Sequence, residues 1–188
     1  NMPSGWTRNN ANSGNGLKFS YGQISGNAGP TDEPSFPYLM AINLGGTYDG
    51  NLNANLYSPT YSLPANSSAS FVMDHWACFE NNWDGAGIFI QVNGGSWQYW
   101  DPGNNFYDTP SIAYTYTQIP QGSNYFGSVH CTGSGSAYTV STTQFESKEA
   151  SLAAYAGDNV QFRFHSGGDS IWNYAGWYLD NVGIRISN

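Results

Sequence analysis

Basic residues are scarce in this chain: five Lys and Arg stand against thirteen Asp and Glu, a net charge of −8. A surface of that sign repels a phosphate backbone and an anionic bilayer, which excludes nucleic acid as a partner class. Charge of either sign is sparse too, at 10% of residues against roughly 25% in ordinary soluble domains. Too few Lys, Glu and Arg remain for a coiled coil or helical bundle. No apolar run approaches the roughly 20 residues that cross a bilayer, and Asn1 to Asn10 lack a basic start followed by an apolar stretch. The chain therefore reads as soluble, without membrane insertion, any signal peptide having been removed. His75, His130 and His165 occur singly, without the His-Glu-x-x-His spacing of a zinc peptidase. No phosphate loop and no EF-hand loop is present, and no motif singles out a pair of catalytic carboxylates.

What is abundant is glycine (23 residues), proline (9) and aromatic rings (16%). Rings in that number can be buried, so the shortage of charge does not signal disorder. The length suits one domain spanning 1–188, with no internal repeat and no linker.

Ala69 to Phe79 alternates, with Phe71, Met73, His75, Ala77 and Phe79 on one side and Val72, Asp74, Trp76 and Cys78 on the other. Large residues on both sides predict a central strand. Gly87 to Val92 is a second strand. Asn93-Gly94-Gly95 supplies the positive φ of a tight hairpin, and Trp97 to Trp100 returns. Asn159 to His165 points Val160, Phe162 and Phe164 inward, and Gly176 to Ile186 closes the set. Weaker strand signals lie at Lys18 to Ile24 and Tyr38 to Leu44. Ser147 to Tyr155 is expected to form one short helical turn capped by Ser147. The class is all-β: an antiparallel β-sandwich with that single turn.

Cys78 and Cys131 sit in a background poor in Lys and rich in Gly, Asn, Ser, Thr and Tyr, as in exported proteins. One disulfide is expected; the alternative is two buried thiols. Asn66-Ser67-Ser68 is a glycosylation sequon, a pattern common by chance.

Several segments occur in an order that resembles a known group: Pro3-Ser4-Gly5-Trp6-Thr7, Leu56-Tyr57-Ser58-Pro59, His75-Trp76 through Glu80 to Trp83-Asp84-Gly85, and the hairpin Val92 to Trp97. Leu152 through Gly157-Asp158-Asn159 to Phe164 and Gly176-Trp177-Tyr178-Leu179-Asp180-Asn181-Val182 are the most specific. Together, from about Pro3 to Ile186, they resemble the jelly-roll accessory domain of immune-inhibitor-A-type secreted proteins, related to cleaved-adhesin and MAM-like domains. The resemblance implies a secreted or cell-surface jelly roll, used in adhesion or appended to a protease, without catalysis of its own and frequently holding structural calcium. Members commonly begin with an acidic strand before the Gly-Trp segment, whereas here Asn1 lies only four residues ahead of Gly5. An open sheet edge is the expected result, and a strand donated by another subunit could complete it in a filament.

Calcium takes six to eight oxygens. The resemblance places a ligand at Asp180, although the usual aspartate pair is Asp180-Asn181 here. Asp49 and Asn51, turned by Gly50, could complete that site, or could form an ordinary turn. Glu80 and Asp84 make a second oxygen-rich loop, which is also compatible with a simple connection between strands.

The partner expected is an extracellular surface, protein or glycan. A carbohydrate-binding alternative rests on exposed rings that stack on sugar faces, with Trp83, Trp100, Trp172, Tyr99 and Tyr174 as candidates and Trp97 and Trp177 assigned to the core.

Overall fold

The computed structural model describes residues 1–10, 19–35, 37–66, 68–114 and 117–187. Among the described residues the strands follow one another as β1 (Thr7–Asn10), β2 (Ser20–Gly22), β3 (Leu39–Ala41), β4 (Asn53–Tyr57), β5 (Tyr61–Ser62), β6 (Ser68–Cys78), β7 (Gly85–Val92), β8 (Gln98–Tyr99), β9 (Cys131–Ser134), β10 (Ala137–Val140), β11 (Glu146–Ser151), β12 (Asn159–Gly167) and β13 (Gly176–Ser187). One sheet runs β1-β4-β12-β7-β8 with β5 beside β12, the other runs β11-β6-β13-β3-β2, and β9 and β10 form a separate hairpin. Every pairing among the described residues is antiparallel. Within the two sheets, β3-β13-β6-β11 faces β4-β12-β7-β8, the interleaved order of a jelly-roll sandwich.

Period-two patterning drives this architecture. Phe71 and Met73 on β6 and Val160, Phe162 and Phe164 on β12 are buried. The Phe71 ring meets Phe162 at 4.8 Å and Phe164 at 6.1 Å, and Phe164 lies 5.8 Å from Trp177 on β13. Aromatic residues thus fill the space between the sheets, each pair adding about 0.5–1.5 kcal/mol beyond the area it buries. At the β7–β8 turn, Asn93 (φ 50°) and Gly94 (φ 71°) both take the left-handed conformation, as the hairpin sequence predicts.

Three local expectations are corrected. Glu146–Ser151 is a strand paired with β6, because its alternate residues Glu146, Lys148 and Ala150 sit opposite His75, Met73 and Phe71. Within that segment Ala153–Tyr155 alone is helical, a 3₁₀ turn without a side-chain cap, and Ser147 donates instead to Asp74 across 2.5 Å. Trp97 is half-exposed beside Tyr57, 5.7 Å between ring centroids, rather than in the core. Of the weak strand signal at Lys18 to Ile24, Ser20–Gly22 is β2 and Lys18 lies outside the described residues.

Cys78 at the end of β6 and Cys131 at the start of β9 are bonded, with Cα atoms 5.5 Å apart, so the bridge ties the small hairpin to the second sheet. Among the described residues no helix is long and apolar enough to cross a membrane.

Candidate metal centre

At one rim of the sandwich, two connections converge. The turn from β6 to β7 carries Glu80 and Asp84, and the segment after β12 carries Asp169. One carboxylate oxygen from each of the three lies within 4.8 Å of the other two. Asp84 is fully buried and Asp169 is 8% exposed.

Glycine makes the convergence possible. A Cβ on Gly168 would stand 2.7 Å from Cγ of Asp84, so only glycine lets the β12 segment pass over that carboxylate. The amide of Asp169 then donates to Asp84 Oδ1 at 2.8 Å. From the other side Tyr48 donates its hydroxyl hydrogen to Asp84 Oδ2 at 2.6 Å, and the same hydroxyl accepts the amide of Glu80 at 3.3 Å. The loop that follows Tyr48 closes the rim, with the Asn51 amide donating to the Asp169 carbonyl.

Charge in this group is uncompensated by protein cations. Among the described residues the ion pairs involve His75, Lys148 and Arg185, all elsewhere. Burial, opposed by the Tyr48 and Asp169 hydrogen bonds, pushes the Asp84 carboxyl up to about 7. Burial and then the neighbouring Asp169 push Glu80 up to about 6. Oε2 of Glu80 is buried without a hydrogen-bond partner. Three oxygen donors, an orphaned carboxylate oxygen and raised affinity for positive charge fit a hard divalent cation.

The sequence candidates divide accordingly. Glu80 and Asp84 come together. Asn51 reaches the rim through its backbone amide, while its side chain is exposed and Asp49 is outside the carboxylate group. Asp180 belongs to neither group of candidate metal-ligating side chains among the described residues. Its oxygens accept the amide and hydroxyl of Ser35 at 2.7 and 2.6 Å and the amide of Asn181 at 2.7 Å. A bulge between Asp180 and Gly183, with Asn181 at φ 48°, sets that geometry, so Asp180 fastens a loop to β13. Asp169 escapes sequence reading; its signal is the glycine pair Gly167-Gly168 before it, at the end of a strand.

The aromatic candidates divide as well. Trp100 (5% exposed) and Tyr174 (1%) are core residues. Tyr99 is half-buried, donating to the Asn124 carbonyl and stacking on Tyr107 at 5.6 Å. None of these three offers a free ring face of the kind a sugar needs. Trp83 stacks flat on Tyr114, centroids 3.6 Å apart and 6° between planes. Trp172 is 40% exposed and stands beside Ile171, exposed at 54%. Asn66 is exposed, and Ser67 of its sequon lies outside the described residues.

Fold and rim together define an antiparallel β-sandwich with a cluster of carboxylates at one end. It resembles the K2 cleaved adhesin domain of Lys-gingipain (Kgp), with a TM-score of 0.51 and 14% identity over 99% of this chain and 91% of that one. The K1 cleaved adhesin domain of the same protein from Porphyromonas gingivalis W83 aligns over 100% of this chain and 94% of its own, at 15% identity and a TM-score of 0.49. In sequence, Bacillopeptidase F of Bacillus subtilis (strain 168) is 23% identical over 180 residues, 96% of this chain and 10% of that protein. The chain thus spans about a tenth of that relative's length. No protein-family model matches it.

Proposed function

We propose that the chain is a non-catalytic extracellular attachment domain whose rim loops are held by a calcium ion bound to Glu80, Asp84 and Asp169. The observation that carries the metal is the set of three converging carboxylates without a protein cation, one oxygen of which is buried and unpartnered. Calcium would neutralise them and fix the connections that follow β6 and β12, with backbone carbonyls and water completing its shell.

Attachment is supported by the adhesin-like fold and by the state of the histidines. His165 accepts the Gln118 amide at Nε2 and faces Asn55 Oδ1 through Nδ1, while His130 accepts the Ala77 amide. Burial lowers the affinity of both rings for a proton. Such imidazoles are structural acceptors rather than general bases at an open cleft. Ile171 and Trp172, two and three positions beyond Asp169, are exposed apolar side chains of this rim, and they are the contact we assign to a surface protein or glycan.

Thermal unfolding of the chain in calcium and in chelator tests the metal. A higher midpoint in calcium, lost in Asp169→Asn, supports it; equal midpoints remove calcium from the rim. Binding to immobilised glycans and to extracellular surface proteins, compared with Trp172→Ala, tests the contact. Unchanged binding by that variant moves the contact elsewhere, and turnover of a substrate by the purified chain contradicts the non-catalytic reading.

A further inference from the structure

A second cluster lies on the inner face of the other sheet, buried except at Glu146, whose side chain is 47% exposed. The β6–β11 register sets Glu146 opposite His75 and Lys148 opposite Met73, so Glu146, Lys148 and His75 share one face. The long connection from β8 to β9 lays Asp108 against them. Lys148 Nζ is 2.6 Å from Asp108 Oδ1 and 3.0 Å from Glu146 Oε2, and the Lys148 and Asp108 side chains are only 11% and 5% exposed. His75 Nε2 faces Asp108 Oδ2 and Glu146 Oε2 at 3.6 Å each, beyond hydrogen-bond length. Both Nε2 and Oδ2 are buried without a partner.

A metal ion does not explain this group. Trp177 Nε1 donates to His75 Nδ1 at 3.4 Å, which leaves the imidazole proton on Nε2. That nitrogen offers a hydrogen rather than a lone pair, and the Lys148 ammonium already bridges the two carboxylates. What the cluster contains is an amine against a buried carboxyl, a second carboxylate touching the amine, and an N–H aimed at the carboxyl's free oxygen.

We propose that Lys148 and Asp108 join in an intramolecular isopeptide bond, with Glu146 carrying the proton and His75 donating to the oxygen that becomes the amide oxygen. The ammonium first passes a proton to Asp108 Oδ1 across their hydrogen bond. The Nζ lone pair then attacks Cγ, and the charge that develops on Oδ2 meets the His75 Nε2 hydrogen. Glu146 Oε2 takes a proton from the attacking nitrogen and returns it to Oδ1, which leaves as water. One C–N bond forms, one C–O bond breaks, and nothing is oxidised or reduced.

Burial favours the neutral pair that the reaction needs, and it pushes the Asp108 carboxyl up to about 6. Burial also disfavours the Lys148 charge, but Asp108 and Glu146 outweigh it, so the resting pair is ionic. A bond made once in the life of a molecule tolerates a minor reactive form when its atoms are held in contact. The product removes two buried charges and fastens the connection after β8 to the edge strand β11.

Mass spectrometry of the full chain, with its disulfide reduced, tests the bond. The expected result is a mass one water below that of the sequence, together with a branched proteolytic peptide joining the segments that carry Asp108 and Lys148. Lys148→Arg and Asp108→Ala restore the full mass, and Glu146→Gln remains largely unbridged after folding. Dehydration at Asp49-Gly50 or Asp84-Gly85 gives the same mass, so a lighter chain without the branched peptide overturns the proposal. A chain at full mass overturns it as well. Bridging of Glu146→Gln at the unaltered rate refutes the proton-carrying role.

Discussion

Tyr48 and Asp84, 36 positions apart in sequence, meet through a 2.6 Å hydrogen bond from the phenol to a fully buried carboxylate. Burial, Asp84's charge and this bond together raise the Tyr48 hydroxyl far above its ordinary range, so it stays a donor at any accessible pH. Tyr48→Phe keeps the ring, which packs 5.5 Å from Phe79, and removes the donor. The expected cost is about 1–3 kcal/mol, the penalty for an unpaired buried acceptor, read as a lower urea midpoint.

Gly50 is a steric requirement of the same rim. A Cβ there would sit 2.7 Å from the Ser170 carbonyl oxygen, and backbone cannot step aside as a flexible side chain can. Gly50→Ala should separate the Tyr48–Asn51 loop from the Asp169 segment, costing about 1–3 kcal/mol as overpacking does. With calcium bound at this rim as proposed, the rise in unfolding temperature on adding the ion should be smaller for the variant than for the unaltered chain, measured by calorimetry with and without the ion.

The histidines predict acid sensitivity. Burial lowers His75 from 6.5 to about 4 and His165 from 6.5 to about 3. Between those values and 6.5 the unfolded chain binds the extra protons. Stability from these groups is therefore complete above 6.5 and is lost as pH falls toward 4 and 3. The two contribute on the order of 3 and 5 kcal/mol across their windows. Urea unfolding at several pH values should show the decline, and His165→Gln should flatten its slope; an unaltered slope would clear His165 of the effect.

The Cys78–Cys131 bridge closes a separation of 53 residues. On the chain-entropy argument its removal costs about 4 kcal/mol. Cys78→Ser/Cys131→Ser should unfold at much lower urea, with the β9–β10 hairpin losing amide protection before the central strands. Equal midpoints with and without the bridge would contradict that assignment.

The sequence determined the sandwich, because alternation is local: Phe71 and Met73, or Phe162 and Phe164, announce a buried face within a few residues of chain. It also marked the β7–β8 hairpin through Asn93-Gly94, and it singled out Glu80 and Asp84 as a pair within one turn. At Glu146–Ser151 local signals misled, since alanine and serine suggested a helical turn while strand pairing with β6 decided the outcome. Propensity there is worth tenths of a kcal/mol per residue, less than the packing of a sheet edge.

Only the tertiary structure could bring Asp169 to Asp84, or Asp108 to Lys148, because those pairs lie 85 and 40 positions apart. It likewise gave the oxygens of Asp180 to Ser35 and Asn181, away from the Glu80–Asp84–Asp169 cluster, and it sank Trp100 and Tyr174 into the core. Burial and the pairing of distant polar groups depend on how two sheets close over one another. Neighbouring residues in the chain carry the period of a strand, but the partners of its charges are fixed only when the sheets meet.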